Sequence, residues 1–380
     1  MHILSQAADD GHCFLPQSLL IETALELLTI EEHQTEIEGI VGVLNEMVGK
    51  RELIVEAEEE PIYYKPSFFH TEQNLAKLLK QHLANNETVD LNRVRNWLGR
   101  FTKSQNLELS PQQQQAVVTA AREKVTILTG GPGTGKTFST RTIVALWKAM
   151  GKKIALAAPT GRAAKRLSEM TGLEAKTLHR LLEFDPATMG FKRDRDNPLP
   201  YTAIVVDEAS MLDLFLAHSL LKAIPTQAQL LLVGDIDQLP SVGPGNVLKD
   251  LMNSQRIPVV RLTQVFRQAA DSGIVRAAHQ INRGQYPQLE PISMKPTMNC
   301  LWHLGGSKPE HGVQTVCELL EHFLPQTGFN PATDVQVLCP MTRGIVGTRN
   351  FNRVLQQLIN PPSEGKAQLI YGSLTLRVGD

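Results

Sequence analysis

Residues 125–140, VTILTGGPGTGKTFST, constrain this chain more than any other stretch. An apolar, β-branched run breaks into a glycine-rich turn and passes at once into a helix-period sequence. Gly130-x4-Gly135-Lys136-Thr137 between a strand and a helix is the context of a phosphate-binding loop. Its glycines let successive backbone N–H groups curl around a polyphosphate, and the helix N-terminus behind them adds a favourable dipole. Lys136 can reach the β and γ oxygens, and the Thr137 hydroxyl can ligate Mg²⁺. A nucleotide and Mg²⁺ are the expected ligands, cradled by Gly131, Pro132, Gly133, Thr134, Gly135, Lys136, Thr137 and Phe138.

The surrounding texture agrees. KKIALAAP, TAIVVDEAS and AQLLLVGD are further short apolar runs that end in small or polar residues, with helical stretches between them. Apolar strands alternating with helices imply an α/β fold, a parallel sheet covered on both faces. Ligands of such sheets gather beyond the carboxyl ends of the strands. Asp207 ends one run and can hold Mg²⁺ through water; Glu208 beside it can orient or deprotonate an attacking water. Gln238, in GDIDQLPSVGPG, can donate and accept and is placed to read a γ-phosphate. Arg267, in RLTQVFRQ, can stabilise charge on a transferring phosphoryl group. Upstream, SPQQQQAV offers a glutamine for an adenine edge, but four in a row leave the choice open.

Charge is uneven. The chain carries a net −1, yet residues 1–70 hold 14 Asp/Glu against Lys50, Arg51 and Lys65, while residues 141–195 are rich in Lys and Arg. A polyanion partner is expected for the later part and not for the first. Residues 1–104 read as helix, helix and hairpin, a winged-helix-like pattern with ELIVEA and IYYK as the strands and FTKSQNLELSP as a linker. Residues 105–270 are expected to form the nucleotide-binding domain and 271–380 a second α/β unit, with DVQVLCPM as a strand. No apolar run approaches the ~20 residues of a membrane span. The four cysteines are scattered without a C-x-x-C pair, which fits a reducing cytoplasm and argues against zinc or a disulfide framework.

In order, GGPGTGKT, APTGRAAKRLSE, AKTLHRLL, VVDEASMLD, GDIDQLPSVGPG and LTQVFRQ resemble the successive motifs of the superfamily-one helicases of the RecD/TraA type. GIVRAAHQINRG and VLCPMTRGIVGT extend the similarity beyond residue 270, and GHCFLPQSLL through YYKPSFFHTEQNLAKLL resembles the family's N-terminal winged-helix region. The resemblance implies a RecA-like motor domain, a partial second one, and an ATP-driven DNA helicase that moves 5′ to 3′ on single-stranded DNA. Gln113 then matches the adenine-reading glutamine, and Gln238 and Arg267 match γ-phosphate sensors. Pro159, Thr160, Gly161, Arg162, Thr177 and His179 match loops that touch DNA, although a histidine among leucines can equally be a packing residue. Thr160, Arg162 and Thr177 can bond phosphates without reading bases. Single-strand–duplex junctions and recombination or repair proteins are the partners implied. The family's Thr/His-Lys-x-Gln-Gly motif and a further arginine motif do not occur here, so the chain is expected to be a fragment. A non-translocating scaffold of a recombination nuclease is the competing expectation. A small-molecule kinase leaves the DNA-loop motifs unexplained.

Overall fold

The computed structural model describes residues 1–28, 36–84, 88–266, 272–293, 299–372 and 374–380. The chain divides into two compact units, Met1–Ala270 and Asp271–Asp380.

The first unit opens with α1 (His2–Asp9), β1 (Phe14–Pro16), α2 (Gln17–Leu28), α3 (Ile37–Gly49), β2 (Ile54–Glu56) and β3 (Ile62–Tyr64). The expected hairpin gains a third strand. β3 lies between β1 and β2, antiparallel to both, with Phe14 opposite Tyr64 and Ile54 opposite Tyr64 on the other side. Leu4, Leu20, Ile40, Leu44 and Leu53 close a small core beneath it. Helices α4 (Pro66–Leu83) and α5 (Leu91–Ser104) follow. The sequence suggested a linker from Phe101; instead Phe101 stacks on Trp97, ring centroids 4.7 Å apart, and the helix runs on to Ser104.

The rest of this unit is the parallel α/β domain. Its elements are α6 (Pro111–Arg122), β4 (Val125–Gly130), α7 (Lys136–Ala149), β5 (Ile154–Ala158), α8 (Gly161–Thr171), β6 (Ala175–Thr177) and α9 (Leu178–Leu181). There follow the hairpin β7 (Phe184–Asp185) and β8 (Gly190–Phe191), then β9 (Ala203–Val206), α10 (Leu214–Ala223), β10 (Gln229–Gly234), α11 (Val247–Asn253) and β11 (Val259–Leu262). Six strands form one sheet in the order β11-β4-β10-β9-β5-β6. Every pairing in it is parallel. β4, β9 and β10 are buried along their whole length, which is why they read as unbroken apolar runs.

Alternate residues of these strands feed two cores, as the two-residue period of a strand requires. Ile127, Ile204 and Leu232 face one layer with α4 and α10. Leu128, Val205 and Leu231 face another, built by α5, α6, α7 and α8. Trp147 on α7 is fully buried there and donates its indole N–H to the Ala120 carbonyl at 3.2 Å. Tyr64, Phe68, Leu75, Leu78 and Leu79 belong to the first of these layers, so the N-terminal helices and hairpin share a core with the sheet.

In the second unit, GIVRAAHQINRG supplies the helix Gly273–Asn282, followed by helices Pro309–Glu318 and Thr348–Ile359. Glu290–Pro291 and Leu301–Trp302 make a short parallel pair. LTLRV supplies a strand: Leu374–Arg377 pairs antiparallel with Gln368–Tyr371. DVQVLCPM is not; residues 334–341 join no ladder among the described residues and Leu338 is 83% exposed. A strand exists through the neighbour that takes its N–H and C=O groups, and composition alone supplies none.

Candidate nucleotide and DNA site

β4 ends at Gly130, where the chain must pass close to its neighbours. A Cβ there would lie 2.6 Å from the Leu262 carbonyl oxygen and 2.7 Å from Thr134 Oγ1. Gly133 and Gly135 then take positive φ, 74° and 85°, the left-handed turn that releases the chain into α7. Thr134 is buried and its hydroxyl donates to the Gly131 carbonyl at 2.8 Å, so it braces the loop with its side chain and has only its N–H to offer a phosphate. Thr137 is exposed in the first turn of α7. Phe138 packs its ring toward the second core layer, with the Arg141 guanidinium 5.7 Å from the ring centroid, which leaves its backbone N–H for the cradle.

The Lys136 ammonium donates to the carbonyls of Gly130 and Gly131, the latter at 3.2 Å, and lies 3.6 Å from a carboxylate oxygen of Asp235. Asp235 was not singled out from the sequence. It ends β10 as Asp207 ends β9, one residue past the strand, and that shared position was the available signal. Its carboxylate is 3% exposed and also accepts from the Asp237 N–H at 3.1 Å and the Gln238 amide at 3.5 Å. Gln238 itself is exposed, on a loop whose Leu239 and Val242 are 87% and 89% exposed. The far end of that loop is fixed: the Gly245 N–H donates to the Gly11 carbonyl at 2.9 Å.

Asp207 is held by β5, its N–H donating to the Ala157 carbonyl at 2.9 Å. Glu208 follows with φ 53° and ψ 41°, left-handed for a residue with a side chain, and its N–H donates to Asp207 Oδ1 at 3.0 Å. Such a conformation costs about 1–2 kcal/mol and clusters at functional sites. Burial raises both carboxyls above their ordinary range; the Asp207 charge pushes Glu208 further, while Lys136 and Arg166 pull both down. Arg166 thus stands within electrostatic reach of the pair, a role its position in a basic stretch did not reveal. A carboxyl tuned upward toward neutrality is suited to general-base work.

Gln113 combines two functions. Its Oε1 accepts from the Ser110 N–H at 2.9 Å and Ser110 Oγ accepts from the Gln113 N–H at 3.3 Å, the reciprocal cap that starts α6. Its Nε2, on a residue 1% exposed, has no partner among the described residues and lies against Gly135, where a Cβ would also meet the Phe266 ring at 2.9 Å. A buried donor aimed at the phosphate loop fits an acceptor on a base edge. Because Oε1 is spent on the cap, pairing with both edges of an adenine would require opening the capping box. Neighbouring Gln112 clamps Thr263 instead, accepting from its N–H and donating to its hydroxyl, both at 2.9 Å. Arg267 lies outside the described residues.

The DNA candidates sit on the two strands beside this centre. Ala158 at the end of β5 is opposite Thr177 at the end of β6. Thr160 caps α8, accepting from the Ala163 N–H at 3.3 Å, and Thr177 caps α9, accepting from the Arg180 N–H at 3.3 Å. Both hydroxyls therefore already serve a helix start, and Pro159, Gly161 and Arg162 complete the first of these turns with Gly161 and Arg162 exposed. His179 is exposed rather than packed among leucines, its ring 5.6 Å from both Phe184 and Phe191 of the β7–β8 hairpin.

Residues 113–244 match the AAA domain family model. The chain is 34% identical over 388 residues to the ATP-dependent RecD2 DNA helicase of Deinococcus radiodurans, an alignment that covers 97% of this chain and 49% of that protein. It is 46% identical over 165 residues to the RecBCD enzyme subunit RecD of Mycolicibacterium smegmatis, covering 37% of this chain and 30% of the relative. Among solved structures, the Pif1 helicase from Candida albicans aligns with 48% of this chain and 45% of its own at 23% identity and a TM-score of 0.38. The chain thus spans about half the length of the first relative and under a third of the second.

Proposed function

Because the chain belongs with the RecD-type superfamily-one helicases, we propose that its Met1–Ala270 unit binds Mg·ATP beyond the ends of β4, β9 and β10 and hydrolyses it to drive 5′ to 3′ movement along single-stranded DNA. The observation that supports this most is the convergence of three strand ends: Lys136 beside Asp235, Gln238 on the same carboxylate, and the raised carboxyls of Asp207 and Glu208 under the influence of Lys136.

In this reading the phosphates take over the Lys136 ammonium from the Gly130 and Gly131 carbonyls and accept the N–H groups of the Gly131–Phe138 turn. Gln113 Nε2 donates to the base. Thr137 and Asp207 would hold Mg²⁺, which would screen the phosphate charge, while Glu208 orients and deprotonates the attacking water. Gln238 and Arg267 respond to the γ-phosphate. Thr160, Arg162 and Thr177 hold DNA phosphates, with Pro159 and Gly161 shaping the turn and His179 at its flank. The Asp207 N–H bond to Ala157 ties the hydrolytic strand to β5, two residues before Pro159, and offers a short route from phosphate release to the DNA loop. Single-strand–duplex junctions in repair or recombination, within the cytoplasm and beside other repair proteins, are the setting this reading implies.

Calorimetric titration with Mg·ATP tests the nucleotide half. Lys136→Ala is expected to weaken binding at least tenfold, since it removes the phosphate-loop cation that this reading places on the β and γ oxygens. Equal affinities would remove Lys136 from its assigned role.

A further inference from the structure

Helix α5 carries a charge pattern that the nucleotide and single-strand sites leave unused. Val94 and Leu98 are buried, and Trp97 packs against the second core layer with Phe101 stacked on it, so this face of the helix is committed to the fold. The other face holds Arg93, Arg95, Arg100 and Lys103, all exposed, with no Asp or Glu between residues 91 and 104. None of the four takes part in an ion pair among the described residues. Arg93, Asn96, Arg100 and Lys103 recur at i, i+3, i+7 and i+10, which puts them in one stripe along the helix. At 1.5 Å per residue that stripe is about 15 Å long. Gly99 leaves its flank open, since a Cβ there would meet nothing within 4 Å.

We propose that this stripe is a docking surface for the phosphate backbone of duplex DNA. The inference rests on the DNA-motor reading above and adds a second contact to it. An isolated cationic helix face is often just solvated, but the other helices of this layer carry exposed cations as well. α5, α6, α7 and α8 build the same layer, and Arg141, Lys148, Lys165 and Arg166 are exposed on its other helices. An extended polyanion complements such a layer better than a short acidic peptide does. About 15 Å matches roughly four phosphates of one strand at 3.4 Å of axis each. The stripe itself contains no aromatic residue, and the partly exposed Trp97 and Phe101 beside it stack on each other. Single-strand binding draws on base stacking, whereas a duplex offers only its backbone to a rigid cationic rod.

The test is fluorescence anisotropy of the whole chain with a blunt duplex and with an oligo-dT of equal length, each across a salt series. Arg93→Gln/Arg100→Gln/Lys103→Gln is compared with the parent and with Lys50→Gln/Lys77→Gln/Lys80→Gln, which changes three exposed cations elsewhere; thermal melts check that all are folded. The first variant is expected to lose at least tenfold in duplex affinity at low salt, with a salt slope shallower by about 2 to 3, near 0.9 per lost contact. Oligo-dT affinity should stay within about twofold of the parent. Four results overturn the inference: duplex binding unchanged, equal loss on both DNAs, equal loss in the second variant, or loss confined to a polyglutamate probe, which would mark an acidic protein as the occupant. A parent that binds oligo-dT through Arg162 but is indifferent to the stripe refutes this inference alone. A parent that binds neither DNA refutes the DNA-motor reading with it.

Discussion

At the scale of single residues, the account turns on Glu208. Its backbone is left-handed, its carboxyl is raised by burial and by Asp207, and it sits two residues past a buried strand. A carboxyl with a higher pKa in the folded chain than in the unfolded one prefers to be protonated there. The penalty for its charge is absent below the unfolded pKa and sets in as pH rises through the window up to the folded value. Glu208→Gln removes that penalty, so the variant is expected to melt higher than the parent at neutral pH, with the gap closing toward pH 4. The same change removes the carboxylate proposed as the base, so turnover should fall about 10²-fold or more while Mg·ATP binding survives. Melting curves across pH and a turnover assay check both halves; a variant that is less stable at pH 7, or hydrolyses within a few-fold of the parent, contradicts the role. Gln113 makes a second residue-scale case. Gln113→Ala loses half of the α6 capping box and the unpaired Nε2 together, so stability should drop by about 1 kcal/mol and Mg·ATP binding should weaken in calorimetric titration.

At the scale of elements, the strain and the hydrogen bonds that hold the site are concentrated at strand and helix ends. Gly135→Ala should abolish nucleotide binding without unfolding the chain, because its φ of 85° is unfavourable for alanine and its Cβ would strike Gln113 and Phe266. Titration with Mg·ATP, beside a melt, distinguishes loss of the loop from loss of the fold. Gln229 is the equivalent test of the scaffold. Its buried amide donates to the carbonyls of Ala120, Ala121 and Glu123 at 3.0, 2.9 and 3.1 Å, closing the end of α6 over β10. Gln229→Leu should cost roughly 1–3 kcal/mol by chemical denaturation, since it leaves the carbonyls of Ala121 and Glu123 short of a donor while Ala120 keeps that of Trp147. These elements were legible in the sequence to different degrees. The phosphate loop, the strand before Asp207 and the apolar runs of β5 and β10 announce themselves because both the chemistry and the burial are local. Asp235 and Arg166 do not: their importance comes from Lys136, Asp207 and Glu208 standing close in space. DVQVLCPM failed as a strand, and β1 went unseen, for the same reason, that pairing is decided by a partner elsewhere in the chain. The two threonines read as DNA contacts were also helix caps, a duty set by the turn that follows them.

At the scale of the whole molecule, the acidic first seventy residues and the basic layer of α5, α7 and α8 lie within one compact unit. Charge alone directs a polyanion away from residues 1–70, which would make their deletion the obvious probe of DNA binding. The core argues otherwise for stability, because Tyr64 and Phe68 pack with Leu214, Leu216 and Ala217 beneath the sheet. Removing them should expose that layer and unfold the nucleotide domain, so surface substitutions are the better probe of where DNA lies. Arg162→Ala is expected to weaken oligo-dT binding and to flatten its salt dependence by roughly 0.7, one phosphate contact, for every sequence alike. Anisotropy across a salt series gives both quantities, and an unchanged slope would move the single-strand track away from the β5 loop. The central claim, that ATP hydrolysis at the ends of β4, β9 and β10 serves movement on single-stranded DNA, is tested most directly by steady-state ATP turnover with and without oligo-dT, with Glu208→Gln as the blank. Turnover is expected to rise several-fold with oligo-dT in the parent and to stay near zero in Glu208→Gln. Turnover that ignores the oligonucleotide, or that persists undiminished in Glu208→Gln, would contradict it.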